Sequence, residues 1–242
     1  MRIIEAVWEK RNLGVTCIEA EIEPDDDPAD VVAAMNSRDE QYLVAKVAAR
    51  NYPAIAALQK EGFTFIESLI RTEIDLSKGA FIPEKCRRLV KNIGWHEASA
   101  EEIEKTLAVI RKGDIFSTDR ISVDPYFSRE AAGIRYAYWI EDILSAGNSE
   151  LMISEYLGEN VGFTVIQHKE TYSAPALSGL YPEYLGSGMG FAVIYSVQSY
   201  LYNKGVKRTI SHISTNNADI LDLAAMFRYR FGDVRNILAK HQ

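Results

Sequence analysis

The chain has 242 residues and a formal net charge of −7; 47% of its residues are hydrophobic and 25% are charged. This composition is typical of a globular protein, and the length suits one large domain or two smaller ones. The negative charge argues against nucleic acid as a main partner, because phosphate binding needs clustered lysine and arginine side chains. No apolar stretch approaches the ~20 residues needed to cross a membrane, and the N-terminal segment lacks the apolar core of a secretory signal.

Metal and disulfide chemistry are not expected. The two cysteines form no CxxC pair, and none of the four histidines lies in a HExxH or CxxH arrangement. We therefore expect a cytoplasmic protein that needs no metal, does not span a membrane and does not bind nucleic acid.

The first third of the chain is predicted to alternate strands and helices. Residues 15–23 alternate like a strand, and the acidic segment 23–35 leads into a helix. Residues 42–65 predict a strand, a helix that begins after Asn51, and a second strand. A glycine and a proline interrupt this pattern within residues 77–91, which indicates a linker.

The remaining elements follow in chain order. They are a strand and an amphipathic helix at 92–113, a helix at 131–147, a hairpin at 151–169 with its turn at 158–160, a strand at 174–181 and a helix at 189–203.

The chain contains an internal repeat. Residues 208–231 match residues 42–65 when the sequence is shifted by 166 positions, and Asn217 then falls on Asn51 and Phe231 on Phe65. Each copy predicts a strand, an Asn that caps a short helix, and another strand. The alternative is coincidence between two ordinary strand–helix–strand units.

Residues 181–190, "YPEYLGSGMG", carry three glycines within five positions at a predicted strand-to-helix junction. A helix N-terminus offers unpaired N–H groups and a positive partial charge, and glycines let these donors approach a phosphate. The alternative is a tight turn without a ligand. A dinucleotide-binding GxGxxG loop does not fit, because Phe191 occupies its last glycine position, and no Gly-Lys-Ser/Thr triplet of a Walker loop follows.

This arrangement resembles the GNAT superfamily of acyl-CoA N-acyltransferases. Their pyrophosphate loop, Arg/Gln-x-x-Gly-x-Gly/Ala, matches "LGSGMG" at Gly188 and Gly190, with Leu185 replacing the first residue. Asn217 resembles the Asn that opens the second motif of the superfamily. The Gly-Phe pair expected after the following helix is replaced here by Arg228-Tyr229, although the first copy keeps it as Gly62-Phe63.

The resemblance implies an α/β protein with the GNAT fold, a mixed and largely antiparallel sheet, preceded by a smaller α/β half-repeat. It covers residues 91–242 as a complete N-acyltransferase domain, residues 1–78 as a partial copy without coenzyme, and residues 79–90 as the linker. Acetyl-CoA is the implied co-substrate. The implied coenzyme-binding residues are Leu180, Leu185, Gly186, Ser187, Gly188, Met189, Gly190 and Asn217, with the Leu180 N–H donating to the thioester oxygen.

A narrower resemblance is to the dTDP-fucosamine acetyltransferase type, which acylates the amine of a nucleotide-linked deoxysugar. It depends on the two-part layout and on residues 7–14 and 119–140, where Ile121 replaces an aromatic residue. It implies a nucleotide-linked amino sugar as the acceptor. Arg120 is then a candidate for holding a phosphate, and a salt bridge to Asp124 is the alternative.

The general acid is open. Many relatives protonate the leaving thiolate with a Tyr seven residues after the Asn, and that position is Ala224 here. Tyr172 and His212 are candidate replacements, although a surface tyrosine and a histidine packed against the sheet are the ordinary interpretations.

Two alternatives for the function stay open. One is a non-catalytic domain that binds CoA as a regulatory ligand; the other is an N-acyltransferase for a peptide N-terminus or a polyamine, with residues 23–30 as an acidic pocket. Exposed sheet edges make a homodimer an expectation. The sequence does not specify the acceptor, the acyl chain length or the oligomeric state.

Overall fold

A ten-stranded sheet runs through the whole molecule, and the computed structural model describes all residues from 1 to 242. The strands are β1 (Arg2–Glu5), β2 (Cys17–Ile22), β3 (Tyr42–Ala48), β4 (Thr64–Asp75), β5 (Ile93–Glu97), β6 (Ser149–Tyr156), β7 (Glu159–His168), β8 (Ser173–Leu180), β9 (Arg208–Ser214) and β10 (Arg230–His241). Only β2–β3 and β8–β9 are parallel neighbours. The predicted α/β class with a mixed, largely antiparallel sheet is confirmed.

Eight helices cover the two faces of the sheet. They are α1 (Glu9–Asn12), α2 (Pro28–Asn36), α3 (Tyr52–Lys60), α4 (Ala100–Ile110), α5 (Arg120–Val123), α6 (Arg129–Ser145), α7 (Gly190–Asn203) and α8 (Ala218–Met226). Buried apolar side chains of α2, α3, α7 and α8 pack on one face, which we call the α7 face. Those of α4, α5 and α6 pack on the other, the α6 face. No helix is both long enough and apolar enough to cross a membrane.

The predicted repeat is present in the structure. Tyr42, Tyr52 and Thr64 begin the strand, helix and strand of the first copy, and Arg208, Ala218 and Arg230 begin those of the second, each 166 positions later. Both helices are capped in the same way, since Asn51 accepts from Ala54 N at 3.1 Å and Asn217 accepts from Ile220 N at 3.2 Å. Two independent units would not share bounds and caps so closely, so coincidence is not the explanation.

The helices α3 and α8 also end alike, in a left-handed residue. Gly62 has φ +88° and Arg228, its counterpart, has φ +61°. A residue with a Cβ is disfavoured there. The Arg228 guanidinium lies over the Phe81 ring, 4.2 Å from its centroid, and this cation–π contact offsets part of the strain.

One turn lies earlier than predicted. The β6–β7 turn is made by Leu157 and Gly158, at φ +55° and +84°, while Glu159 and Asn160 already belong to β7. A two-residue hairpin needs positive φ at both central positions, and this requirement overrides the cost for Leu157.

The two copies exchange their last strands. The order of the sheet is β1-β2-β3-β10-β4-β9-β8-β7-β6-β5, so β10 lies between β3 and β4, and β4 lies between β10 and β9. A β-bulge follows Phe65 in one strand and Phe231 in the other, at equivalent positions of the repeat. The division into residues 1–78, 79–90 and 91–242 stays a prediction about the sequence, because the sheet itself is continuous. The homodimer also stays a prediction, with β1 and β5 as the sheet edges.

Residues 1–78 alone are expected not to fold, because β3 and β4 then lose the strand that lies between them. Their circular dichroism spectrum should be that of an unfolded chain, and mixing with residues 79–242 should restore strand signal. A cooperative thermal transition of residues 1–78 by themselves would contradict this expectation and would make the first copy an independent domain.

A histidine joins the edge strand β5 to the start of α4. His96 Nδ1 lies 2.5 Å from Glu155 Oε1, and His96 Nε2 lies 2.8 Å from Glu102 Oε1. Partial burial alone would lower the pKa of His96, but the hydrogen bonds to Glu102 and Glu155 outweigh it and raise the pKa above its ordinary value of 6.5. The charged imidazole therefore links two carboxylates from separate elements.

Because the pKa of His96 is raised on folding, its contribution to stability is fully present below the unfolded pKa and is lost as pH rises through the folded pKa. The side chain is 37% exposed, so the contribution is small. His96→Gln should lower Tm by about 2–4 °C at low pH, where the imidazole is charged, and hardly at all well above the folded pKa. Thermal melts of both proteins across this range measure the difference; an equal loss at both ends would contradict it.

Candidate functional site

Strands β8 and β9 run parallel but part almost at once. They pair only at Ser173 and Thr209. Two residues further on, the Ser211 hydroxyl donates to Pro175 O at 2.7 Å. No strand pairing holds β8 and β9 together beyond that point, so a gap opens towards their C-terminal ends, at Leu180 and Ser214.

The equivalent strands of the first copy stay closed. β2 pairs with β3 without interruption from Cys17–Tyr42 to Ile22–Val47. The repeat therefore holds one open and one closed version of the same strand pair.

The Leu180 N–H points into the gap. Tyr181 N donates to Val161 O at 3.0 Å, and Leu180 lies opposite Gly162 in the antiparallel β7–β8 pair. Backbone donors alternate between the two edges of an antiparallel strand, so the donor of Leu180 faces away from β7. This is the position predicted for the donor to a thioester oxygen.

Each glycine of the loop has its own structural reason. Gly186 and Gly188 have φ +72° and +79°, a region that residues with a Cβ rarely adopt. Gly190 is the first residue of α7, and a Cβ there would lie 2.7 Å from Leu223 Cδ1 of α8. Two glycines therefore shape the loop, and the third lets α7 approach α8.

The start of α7 is rich in free donors. Its N-cap, Met189, supplies no side-chain hydrogen bond. The backbone N–H groups of Gly186, Gly188 and Gly190 donate to no acceptor within the protein. Unpaired donors at a helix N-terminus favour an anion, and nothing in the protein lies within 4 Å of a Cβ added at Gly186 or Gly188, so the backbone there is open to one.

The start of α2, the counterpart in the first copy, is already occupied by a carboxylate. Asp27 accepts from Ala29 N at 2.8 Å, and Asp26 binds the N-terminal amine of Met1 at 2.5 Å. The acidic loop that the sequence offered as a polyamine pocket therefore has its own partners, and it lies at the closed strand pair.

Of the two candidate acids, Tyr172 lies far from the open end of the gap and His212 lies two residues from Ser214. Tyr172 precedes β8 at its paired end, near Arg208, and the length of β8 puts it roughly 25 Å from Leu180. His212 lies on β9 opposite Arg71, close to where the strands begin to part. The residue is exposed at the surface; partial desolvation of its ring, together with the cations Arg71, Arg235 and Lys46, lowers the pKa of His212. Ala224 is buried in α8 and offers no acid.

Arg120 is paired with two carboxylates of the first copy. Its guanidinium is 10% exposed and lies 2.5 Å from Glu19 and 3.3 Å from Glu9. The alternative Asp124 partner is not used either, because Asp124 lies 2.9 Å from His241 Nε2. Burial of Glu19 raises its pKa, but Arg120 and Lys46 outweigh this and hold it at about 2. The sequence did not reveal Glu9 and Glu19 as partners of Arg120, because each lies more than 100 positions away from it.

The segments that carried the narrower resemblance contact each other through this network. Arg135, in the 119–140 stretch, donates from Nη2 to Glu9 Oε1 at 2.5 Å, and Glu9 belongs to the 7–14 stretch. Both segments therefore contribute side chains to one buried ion cluster.

Arg120→Ala should cost about 3–5 kcal/mol of the free energy of unfolding, because it leaves Glu9 and Glu19 with one cation fewer in a buried site. Its affinity for acetyl-CoA should be unchanged. Urea unfolding and calorimetric titration measure the two quantities. Unchanged stability together with a raised acceptor KM would instead favour the phosphate role.

The sequence did not reveal two buried polar groups on the α6 face. Glu67 of β4 is 3% exposed, and one of its carboxylate oxygens has no hydrogen-bond partner. Tyr136 of α6 is buried, and burial together with Asp119 raises its pKa well above the ordinary value. One signal in the sequence could have indicated Glu67. It lies two residues before Leu69, so the two side chains share a face of the strand, and the apolar pattern assigns that face to the core.

No group of three or more His, Cys, Asp or Glu side chains is placed to hold a metal ion. Cys17 and Cys86 are both free and buried.

Comparison with known proteins gives structural matches only. No family model and no curated sequence matches this chain. The GCN5-related N-acetyltransferase from Sphaerobacter thermophilus is 13% identical, with a TM-score of 0.60, over 83% of this chain and 59% of that chain. A tandem GNAT protein from the clavulanic acid biosynthesis pathway is 12% identical, with a TM-score of 0.52, over 88% and 68%.

A third match is a GCN5-related glucosamine N-acetyltransferase region in a fungal multi-domain GH3 β-N-acetylglucosaminidase. It is 14% identical, with a TM-score of 0.58, over 81% of this chain and 25% of that one. The likeness shows the fold: the chain has the GNAT fold, as predicted. This chain spans little more than half of the first match, and a quarter of the third.

Proposed function

We propose that the protein is an acyl-CoA-dependent N-acetyltransferase. The observation that carries the proposal is the parting of β8 and β9, with the Leu180 N–H facing the gap between them. The free donors at residues 186–190 lie at the same end of β8. One backbone donor for a thioester and several for a pyrophosphate thus lie along one path.

The coenzyme would approach from the start of α7. Backbone N–H groups of Gly186, Gly188 and Gly190 would hold the pyrophosphate, so Leu185 in place of the usual Arg or Gln removes a side-chain contact and leaves the backbone ones. The Leu180 N–H would polarise the thioester carbonyl and stabilise the oxyanion that forms when the amine attacks.

The acceptor amine would enter from the α6 face, opposite the loop. An amino sugar is our proposed acceptor, and the matched glucosamine N-acetyltransferase region supports this class. The nucleotide part of the acceptor rests only on the resemblance of the two-part layout and of residues 7–14 and 119–140, because Arg120 is paired within the ion cluster. Peptide N-termini remain a second acceptor class to assay. A polyamine has less support, since the acidic loop has its own partners.

A second candidate function is CoA binding without turnover. The observation that favours it is Ala224, which removes the side-chain acid expected in α8. A thiolate is, however, a tolerable leaving group. After the neutral amine has formed the C–N bond, its nitrogen is positively charged and can give a proton to the thiolate. Release of free CoA thiol in the presence of an amine separates the two functions.

Gly188→Val should weaken acetyl-CoA binding at least tenfold in calorimetric titration, because the side chain would cover the donors of the loop. Gly205→Val is the matched control: Gly205 has φ +80° and open surroundings like Gly188, but lies at the far end of α7. Both variants carry the same backbone strain, so a difference in affinity reports the site itself.

Two results would contradict the proposal. Absence of acetyl-CoA binding by the unmodified protein would mean that the three glycines only shape the chain. An equal loss in Gly188→Val and Gly205→Val would mean that strain, and not the loop, controls binding.

A further inference from the structure

Strand exchange brings a carboxylate of the first copy to the gap of the second. β4 lies directly beside β9, with Leu69 opposite Ser214 at the end of β9. Glu67 therefore lies two residues past the end of β9, where the gap is open. Its counterpart in the repeat, Asp233, is exposed, so the buried position is peculiar to Glu67.

Glu67 is the carboxylate in this region that can still accept a hydrogen bond. Asp119 is committed to α5: it accepts from Ile121 N at 2.9 Å and from the Ser122 hydroxyl at 2.6 Å. Glu67 is 3% exposed, and its Oε2 has no partner. An unpartnered buried oxygen is costly, so it is seldom kept without a use.

The Ser214 hydroxyl connects this carboxylate to the gap. It donates to Thr118 O at 3.0 Å. Ser214 lies opposite Leu69, two residues from Glu67, and its hydroxyl is near enough to the Glu67 carboxyl to act on its pKa, in the lowering direction. Ser214 is only partly buried, unlike Glu67. A hydroxyl proton rotates freely between acceptors, so the same group can give its proton to Glu67 and take one from a neighbour.

A continuous wall joins this pair to Leu180. A Cβ at Gly179, one residue before Leu180, would meet Ile115 and Phe163. The Phe116 ring lies 6.3 Å from that of Phe163 and 4.8 Å from that of Tyr136. Tyr136 in turn neighbours Asp119 and Glu67. A run of neighbouring side chains on the α6 face thus leads from Gly179, beside Leu180, to Glu67.

The charges around Glu67 favour a proton acceptor. Burial raises the pKa of the carboxyl, and the nearby Asp119 raises it further, while Ser214 and Arg120 act in the opposite direction. From α6 the facing group is Tyr136, which is neutral. The net effect is a raised pKa, which brings the carboxyl closer to the pH at which an ammonium must lose a proton.

We propose that Glu67, through the Ser214 hydroxyl, takes the proton of the acceptor ammonium; this inference rests on the proposed N-acetyltransferase function. One proton passes from the ammonium to the Ser214 oxygen as the Ser214 proton passes to Glu67. The neutral amine then forms the C–N bond, the C–S bond breaks with its electron pair on sulfur, and the second amine proton goes to the thiolate. Amide and free thiol result, and Glu67 returns its proton to solvent.

The test compares Glu67→Gln with Glu73→Gln, a substitution on the same strand and the same face but away from the gap. Thiol release from acetyl-CoA is followed with glucosamine, spermidine and a glycyl peptide as amines, and acetyl-CoA affinity is measured separately. Glu67→Gln should keep the affinity and lose about 10²–10⁴-fold in kcat at neutral pH. Ser214→Ala should lose rate in the same direction, and Glu73→Gln should behave as the unmodified protein.

The pH profile distinguishes proton transfer from a structural role. The unmodified protein should lose kcat/KM below the raised pKa of Glu67, and Glu67→Asp should keep this limb at a lower rate. In Glu67→Gln the limb should vanish, and the residual rate should rise with pH as the amine itself deprotonates. An unchanged profile and rate in Glu67→Gln would overturn the inference and leave the function standing. No transfer by the unmodified protein to any of the three amines would overturn both.

Discussion

The pairing of β4 with β10 is the contact on which the rest of the structure depends. It joins the last strands of the two copies, from Arg230 opposite Glu73 to Ala239 opposite Thr64, at the centre of the sheet. Without it, the sheet would divide into two parts, each with an exposed edge of unpaired backbone groups. β4 also pairs along its other edge with β9, the strand that forms one side of the gap. The centre of the sheet and the candidate site are therefore connected through β4 and β9.

The two copies share one arrangement of strands and helices but differ in whether the helix start can bind an anion. In the first, β2 and β3 stay paired, and Asp27 fills the donors at the start of α2. In the second, β8 and β9 part, and glycines leave the donors at the start of α7 free. A carboxylate already seated on a helix N-terminus excludes a phosphate by occupancy and by charge. Small local changes thus suffice to make one copy a support and the other a binding site.

The features that could be predicted from the sequence are those that depend on residues close together in the chain. The repeat, the Asn caps and the glycine loop follow from spacing and backbone preference, which act over a few residues. The order of the strands did not follow, because pairing of β3 with β10 joins segments from opposite ends of the chain. The partners of Arg120 and the neighbours of Glu67 were hidden for the same reason. At Leu157 a local preference was overruled by the geometry of a two-residue turn.

Strand exchange also sets the order of events during synthesis. β3 leaves the ribosome long before β10, with about 180 residues between them, which takes roughly ten to forty seconds at ordinary elongation rates. Throughout that time the edge of β3 that later pairs with β10 has no partner strand. Most side chains of β3 are apolar, and they are buried only in the folded protein. Such an edge can pair with other nascent chains. Only the arrival of β10 closes the first copy, so the exposed edge of β3 lasts until β10 has been made.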